Sequence, residues 1–254
     1  MKKIVRATFI LVATFLSSTT FSQDIGVMFK EASNLEIKLK DVEALEKYKQ
    51  ILLIEPNNTK ALVKATEISC TLGSRLPAKK DRLLYYQSAL SFAQRVILSD
   101  ASNADANYAM ALANGKMIEV EMEAKKVVAY VKDVRLYVDK ALTINPNHAK
   151  ANFTLGKWHI EMVNLSGFKK AAVKLLYGAI PESKIESAIF YMEKCKNLEP
   201  YFLLNYLELA KVYKQDSKPT KAIEILQKLV KLPIRTADDA AWKAEGQKML
   251  DEMA

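Results

Sequence analysis

The stretch ILLIEPNNTKAL (residues 51–62) decides the fold, because two later segments align with it without gaps. They are VILSDASNADAN (96–107) and ALTINPNHAKAN (141–152), and each begins 45 residues after the segment before it. A fourth segment, CKNLEPYFLLNY (195–206), begins 54 residues after the third. Repetition at such a period is typical of solenoids, so we expect each segment to end one helix and to start the next.

The residues around each turn fit the tetratricopeptide template. Counted back from Pro56, the template positions hold one small and two apolar residues, Ala44, Tyr48 and Ile51. The template also places small residues where paired helices touch. In this chain those residues are Thr66, Ala111, Gly156, Ala188, Ala210 and Ala222. Because a single helical hairpin cannot bury its apolar face alone, the hairpins must stack. The sequence predicts an all-α, tetratricopeptide-like superhelical solenoid of about five helical hairpins.

The middle repeats are longer than a standard repeat. In a standard hairpin the two small residues lie twelve positions apart, as Ala210 and Ala222 do. Thr66 and Ala89 instead lie 23 positions apart, and the next repeat shows the same spacing. The extra residues add about three helical turns, shared between two helices. We therefore predict elongated middle hairpins.

A longer insertion separates Gly156 from Ala188 and contains SGFKKAAVKLLYG (166–178). Its apolar residues share one helical face, which predicts an inserted amphipathic helix. They are Phe168, Ala171, Ala172, Leu175 and Leu176. Near the end of the sequence, Thr236 is followed three residues later by Asp239, much as in a capping box, which predicts a C-terminal capping helix.

The first residues read as an export signal. A basic start is followed by ten apolar residues (7–16) and by Thr20 and Ser22 at the spacing of a small-x-small cleavage site. Residues 1–22 are therefore predicted to be a signal peptide, and residues 23–254 the solenoid. Ten apolar residues are too few to span a bilayer, although an uncleaved anchor is the alternative. We expect an exported protein, periplasmic if the source is Gram-negative and otherwise secreted.

The charge of the chain argues against nucleic acid as a partner. The net charge is +9, and the lysines alternate with glutamates along helical faces. Binding to nucleic acid phosphates favours a dense basic stripe instead. A basic surface of this kind suits acidic peptides or anionic lipid.

The stretch LGKWHIEM (155–162) is the part of the sequence that most resembles a catalytic or metal-binding site, since His159 stands two residues before Glu161. Glu161 lies about 200° further around the helix, and the positions where a second metal ligand would stand hold Met162 and Val163. The repeat usually gives the position of His159 to a large packed aromatic, and the next repeat has Tyr213 there. We interpret His159 as a packed, hydrogen-bonded histidine.

Catalytic patterns are missing elsewhere in the sequence. It contains no nucleophile elbow, no phosphate-binding glycine loop and no cysteines at metal-binding spacing. Cys70 and Cys195 fall on apolar stripes, where we expect two buried free thiols. The prediction is a protein that is not an enzyme and has no cofactor and no metal.

The run Gly-x-Trp-His at 156–159, the inserted KLLYGAIPES (174–183) and the ending LP-x-x-T-x-x-D (232–239) carry a resemblance. Over roughly residues 80–252 the chain resembles the tetratricopeptide domain of the regulator of microtubule dynamics family. Eukaryotic members are adaptors, several of them membrane-anchored and linked to microtubules and organelle surfaces. The resemblance implies the fold and a non-enzymatic binding role, and it makes Trp158 a packing residue together with His159.

The first helix of each hairpin in such solenoids lines a concave groove. Groove positions in this chain hold Lys60, Val63, Tyr108, Lys150, Phe153, Lys157, Lys211 and Lys214. Lysines with aromatics suit an extended peptide or an acidic C-terminus, so we predict a protein or peptide ligand. Ordinary solvated lysines are the alternative at each position. The asparagine and lysine clamp of chaperone-binding relatives is absent, which argues against a chaperone tail.

A second function class stays open. The segment 166–178 carries Lys169, Lys170 and Lys174 opposite its apolar face, a pattern also found in helices that lie on anionic membranes. The alternative function is therefore a carrier or sensor of phospholipid or of another apolar ligand. Docking of this helix on the solenoid would explain the same pattern without a lipid.

Overall fold

A computed structural model of the chain describes residues 25–179 and 181–253, and the predicted signal peptide lies outside these ranges. The described residues form twelve helices and contain no strand. The helices are α1 (25–37), α2 (Asp41–Ile54), α3 (Thr59–Ser74), α4 (Lys79–Ser99), α5 (Ala104–Val120), α6 (Ala124–Ile144), α7 (Ala149–Val163), α8 (Gly167–Tyr177), α9 (Ile185–Leu198), α10 (Leu203–Gln215), α11 (Pro219–Leu229) and α12 (Asp239–Asp251).

The helices pair into five hairpins, which confirms the predicted solenoid. The pairs are α1 with α2, α3 with α4, α5 with α6, α7 with α9, and α10 with α11. Helix α8 is inserted between the two helices of the fourth hairpin, and α12 packs against α10 and α11. The predicted elongation is present, since α4 and α6 have 21 residues each and α2 has 14.

The inner layer consists of the first helix of each hairpin and of α12. Helix α3 packs on α5, α5 on α7, α7 on α10, and α10 on α12. In a tetratricopeptide solenoid these helices line the concave side, and the second helices of the hairpins form the convex side. The groove expected from the sequence therefore runs across α3, α5, α7, α10 and α12.

The repeated segments form the turns between hairpins, and their polar residues hold the turns in place. Asn58 and Asn103 cap α3 and α5 by accepting the N–H of Ala61 and Ala106 at 2.9 and 3.1 Å. Later in the repeat, one position satisfies the turn carbonyl that stands six residues before it. The side chains of Asn107, Asn152 and Tyr206 stand at this position. They donate hydrogen bonds to the carbonyl oxygens of Ala101, Pro146 and Pro200 at 2.9, 3.1 and 3.0 Å.

The small residues allow neighbouring helices to approach closely. Ala188, Ala210 and Ala222 have no exposed surface. A Cβ added to Gly156 would lie 2.8 Å from Met192 Cγ and 3.1 Å from the Ala188 carbonyl oxygen. The contact between α7 and α9 therefore requires glycine at this position.

The described residues of the predicted apolar face of the inserted helix are exposed, and the residue that packs lies outside that face. Val173 is buried against α6 and α7, with Tyr177 beside it, whereas Leu175 is 83% exposed. Ala171 and Leu176 also face outward. The side chains of the remaining two residues of that face, Phe168 and Ala172, lie outside the described part. An apolar stripe predicts a helix, but the connections to α7 and α9 fix how this short helix is rotated.

The last helix begins later than the sequence predicted. It starts at Asp239, whose carboxylate accepts the N–H groups of Arg235 and Thr236 at 2.7 and 2.8 Å and the Thr236 hydroxyl at 2.7 Å. The carboxylate thus ties the preceding loop, and Thr236 does not open the helix. This arrangement places Asp238 at the N-terminal end of α12.

Replacing Gly156 by alanine should destabilise the protein, because the added methyl group would clash with Met192 and with a rigid backbone carbonyl. Overpacking of this kind costs about 1–3 kcal/mol. Gly115 in α5 is the matched control, since a Cβ there meets only Val134 Cγ2, at 3.9 Å. Gly115→Ala should leave stability unchanged or raise it by up to about 1 kcal/mol through helix propensity. Urea unfolding of both variants measures the difference, and equal effects would contradict the close-packing account.

Candidate functional site

Two cavities of different character are lined by residues of the inner helices α5 and α7. The first, called the polar basin, has a volume of about 670 Å³ and lies across α3, α5 and α7. Its principal lining residues are Lys60, Lys64, Glu67, Asp105, Tyr108, His148, Lys150 and Glu199. Most of these side chains carry charge, so the contacts among them decide what the basin can bind.

Glu67 is the centre of the polar basin. Its carboxylate accepts a hydrogen bond from Lys150 Nζ at 2.7 Å and lies 3.8 Å from Lys64 Nζ. Burial alone would raise the pKa of Glu67, but the two ammonium groups outweigh it and hold that pKa below its usual range. Lys64 also donates to Glu36 at 2.9 Å. The ion pairs thus link α1, α3 and α7 and pass over α5.

A second chain of ion pairs continues along the groove. Lys157 Nζ lies 2.5 Å from a Glu208 oxygen and 3.1 Å from Glu161. Lys211 lies 2.8 Å from the other oxygen of Glu208 and 2.8 Å from Glu245. Burial alone would raise the pKa of Glu208, but Lys157 and Lys211 lower it.

The groove lysines predicted to bind an acidic ligand therefore have internal partners. Lys150, Lys157 and Lys211 are each paired with a carboxylate of another inner helix. Lys60 stands over the Phe29 ring at 4.9 Å, and Lys214 is exposed. Their role in ligand binding stays a prediction, and any ligand would meet lysines that already have internal partners. Sequence spacing located them in the groove but did not reveal the opposing carboxylates.

The second cavity, called the apolar cavity, has a volume of about 810 Å³ and lies between α5, α6, α7 and α8. Its walls are formed mainly by Leu112, Ile118, Val127, Val131, Phe153, Trp158, Leu165 and Val173. Lys116, Lys157 and Lys169 lie at its boundary together with Glu119 and Glu161. Cavities of this size and character can enclose apolar groups of a ligand, with the charged residues in contact with its polar end.

The four residues predicted as the centre of binding divide between the two cavities. Tyr108 and Lys150 line the polar basin, and Phe153 and Lys157 line the apolar cavity. Tyr108 is only 6% exposed, with its ring 4.9 Å from that of His148. Phe153 is half-buried and meets Phe202 edge-on at 5.0 Å. Of the two aromatics, Phe153 is therefore the more accessible to a ligand.

His159 is a packed residue. It is 7% exposed, and its ring lies 5.8 Å from that of Tyr191 and parallel to it, with Trp158 edge-on at 5.3 Å. The expected hydrogen bond is missing at one nitrogen, because Nδ1 is buried and has no partner among the described residues. Burial lowers the pKa of His159, and the nearby Arg135 guanidinium lowers it further.

The indole N–H of Trp158 bonds the Val131 carbonyl at 3.3 Å, so this residue forms part of the wall of the apolar cavity. Tyr213, which occupies the position equivalent to His159, is buried and donates to Glu193 at 2.9 Å. At the equivalent positions of the two repeats, the Tyr213 hydroxyl therefore has a hydrogen-bond partner, whereas Nδ1 of His159 has none among the described residues.

His148 is the residue that sequence reasoning missed. Its Nδ1 accepts the Ala151 N–H at 3.1 Å and caps α7, so the ring proton lies on Nε2. Nε2 is 3.0 Å from Asp105 on α5. The signal was present in the repeat alignment, which places His148 in the column of the capping residues Asn58 and Asn103.

Among residues 25–179 and 181–253, no cluster of three or more histidine, cysteine or acidic side chains is arranged to hold a metal ion. Within the same ranges, no helix combines the length and the apolar character needed to cross a membrane. Cys70 and Cys195 are both buried and unpaired.

Comparisons with known proteins agree with the sequence resemblance. The family model for regulator of microtubule dynamics protein 1-3 matches residues 28–254. Regulator of microtubule dynamics protein 1 of Pongo abelii is 25% identical over 179 residues, which are 70% of this chain and 56% of that protein. Protein 3 of the same name in Bos taurus is 25% identical over 193 residues, which are 76% of this chain and 39% of that protein. The chain thus spans less than two thirds of either relative.

A solved structure supports the fold independently. The crystal structure of a thermophilic tetratricopeptide-repeat protein from Thermus thermophilus matches with a TM-score of 0.63 at 14% identity. The match covers 88% of this chain and 99% of that one. At this identity it shows the common architecture.

Lys150→Met should lower stability, because it leaves the buried Glu67 carboxylate without its closest cation. Since Lys150 keeps a third of its side chain exposed, we expect a loss of ~2 kcal/mol, the lower end of the range for such pairs. Adding Glu67→Gln to the same protein should restore most of the loss, because the unpaired charge disappears. Urea unfolding of the two single variants and the double variant measures the coupling. Additive losses would contradict the assigned pair.

The buried histidine should make stability depend on pH. Because the folded pKa of His159 lies below its unfolded value of about 6.5, the unfolded chain binds more protons in acid. The free energy of unfolding should therefore fall as the pH drops through about 6.5. His159→Phe keeps an aromatic ring and removes the titrating group, so the variant should lose less stability between about pH 7.5 and about pH 5. Parallel urea titrations measure this, and identical pH profiles would contradict the packed neutral imidazole.

Proposed function

Because the chain belongs to the regulator of microtubule dynamics family, we propose that it is a non-enzymatic, exported scaffold that binds a protein or peptide segment in its concave groove. The observation that carries the proposal is the apolar cavity, which, like the polar basin, is lined by residues of the inner helices α5 and α7. An apolar cavity beside a polar surface provides both an anchor site for large side chains and hydrogen-bonding groups for the backbone.

The ion pairs in the groove favour an apolar anchor over an acidic one. A ligand carboxylate at Lys150 or Lys157 would compete with Glu67 or Glu208, whose carboxylates already accept hydrogen bonds there. Apolar side chains entering beside Phe153 would bury surface without breaking an ion pair. We therefore expect one or more large apolar residues of the ligand to occupy the apolar cavity.

The polar basin would hold the adjoining part of the ligand. Lys60 can donate hydrogen bonds there, and Asp105 and Glu199 can accept them. This mixture of donors and acceptors suits the backbone and polar side chains of an extended segment more than a single anionic group. Binding should accordingly depend weakly on ionic strength.

The second candidate is a carrier or sensor of phospholipid or of another apolar ligand, and the volume and lining of the same cavity favour it. Lysines at the cavity boundary could meet an anionic head group while the walls enclose a hydrocarbon chain. On α8, Leu175 and Lys174 are both exposed, which leaves the proposed contact with anionic lipid open to a direct test. Vesicle sedimentation with and without phosphatidylglycerol would detect that contact.

Export is the remaining part of the proposal. It is supported by the sequence of residues 1–22 and predicts that the mature protein begins at Gln23. Determining the N-terminal mass of protein recovered from its native compartment tests this. A membrane-bound chain that retains residues 1–22 would instead be an anchored protein.

Filling the apolar cavity should abolish ligand capture. Benzoylphenylalanine introduced at Phe153 should cross-link the partner in cells that express the protein, and the same group at Leu98, which is 87% exposed on the outer helix α4, should not. Val131→Trp should reduce the Phe153 cross-link about thirtyfold, since an interface anchor contributes ~2 kcal/mol or more. Ala129→Trp is the matched control, because Ala129 lies on the same helix with its side chain exposed.

Two outcomes would decide against the peptide proposal. Cross-links at Leu98 that exceed those at Phe153 would move binding to the convex side. Native mass spectrometry of freshly purified protein that shows a bound lipid, lost in Val131→Trp and kept in Ala129→Trp, would establish the apolar-ligand carrier instead.

A further inference from the structure

One group of side chains joins the two ends of the solenoid. Arg75, directly after α3, directs Nε to Asp238 Oδ1 at 2.7 Å and Nη2 to Asp238 Oδ2 at 3.0 Å. The same Nη2 lies 2.6 Å from Asp41 at the start of α2. Arg75 and Asp238 are 163 positions apart in the sequence. We call Arg75, Asp41 and Asp238 the clasp.

The clasp closes five helices of the inner layer into a ring. Helices α3, α5, α7, α10 and α12 pack on one another in that order, and the clasp connects the end of α3 to the start of α12. Within the described residues, no helix of the second hairpin packs directly on α10, α11 or α12. The ends therefore meet through side chains, and the groove lies inside the ring.

The local geometry favours this connection over the usual alternative. Asp238 stands at the N-cap position of α12, where an aspartate side chain commonly accepts a backbone N–H of its own helix. Its carboxylate makes no such bond, and both of its oxygens bind the guanidinium fork. Asp41, at the start of α2, also pairs with Arg75. The guanidinium group is therefore already oriented before Asp238 binds it.

The clasp is also weak enough to open. The side chains of Arg75, Asp41 and Asp238 keep 29%, 16% and 22% of their surface exposed. Ion pairs in contact with solvent contribute little to stability and are screened by salt. A few such contacts can hold two ends that do not otherwise pack, but they yield to a competing interaction.

We propose that the clasp holds the solenoid closed and that its opening admits ligands to the groove. Closure rests on the ring geometry alone, whereas admission of a ligand also rests on the proposed function. When the clasp opens, the second hairpin separates from α12 without breaking a packing contact with α10, α11 or α12, and an extended segment can enter from the side.

Small-angle X-ray scattering of the full chain tests closure without any ligand. Asp238→Asn and Arg75→Gln should each increase the radius of gyration. The exchange variant Arg75→Asp with Asp238→Arg should restore the closed value. Asp139→Asn is the matched control, because it removes an aspartate that pairs with Arg135 within α6 and joins no ends. Circular dichroism verifies that each variant keeps its helices.

Salt provides a test that needs no substitution. The screening length falls from about 10 Å at 0.1 M to about 3 Å at 1 M salt. The wild-type radius of gyration should rise across this range towards that of Asp238→Asn, which should itself stay constant. Equal radii for wild type, Asp238→Asn and Asp139→Asn at every salt concentration would overturn the clasp.

Admission to the groove is tested with the dye 8-anilinonaphthalene-1-sulfonate as the probe of the apolar cavity. Arg75→Cys with Asp238→Cys, joined by a short bismaleimide, locks the ends together. Burial raises the pKa of Cys70 and Cys195 to about 12, so these thiols should not react. Dye entry followed by stopped flow should be slower in the locked protein and faster in Asp238→Asn than in wild type. Equal rates would overturn admission, and scattering would still report on closure independently.

Discussion

Close contact between helix backbones is the constraint on which this solenoid depends. The contact requires a residue without a bulky side chain at each crossing, and at Gly156 an added Cβ would meet the backbone of Ala188 itself. Where the small residues lie further apart in sequence, the hairpins become longer but the crossings persist. The long helices α5 and α6, together with α7 and α8, enclose the apolar cavity. The cavity is thus a consequence of repeat spacing.

Sequence reasoning predicted the architecture well because the repeat is periodic and each period has a physical cause. The turns at 51–62 and at the equivalent segments carry capping and proline residues, and the helix pairs follow from them. It succeeded less where contacts join residues far apart in sequence. Groove position identified Lys150 but not Glu67, which is 83 residues away, and this partner changes the role of the lysine.

Two other differences between the sequence prediction and the structure also arise from contacts between residues far apart in sequence. The apolar stripe of 166–178 predicted a helix, but its rotation depends on α6 and on the chain entering and leaving it, so Leu175 faces outward. The register placed His159 in the aromatic position but could not show that Nδ1 lacks a partner. Periodicity therefore predicts which residues are helical and roughly where they face. Whether a buried polar atom has a hydrogen-bond partner can be seen only from its neighbours in the folded structure.

The ion pairs along the groove have a consequence for how the chain unfolds. Repeat arrays commonly behave as one-dimensional systems in which each unit senses only the next, and their ends can melt independently. Here Lys150 reaches Glu67 across the intervening α5, and Glu36 continues the link to α1. This ion pair couples the second hairpin to the fourth, with the third between them. A partly unfolded chain that keeps only one of the two loses the ion pair and is therefore higher in free energy. The molecule should consequently melt as a single cooperative unit, with little fraying of the first four hairpins before the global transition.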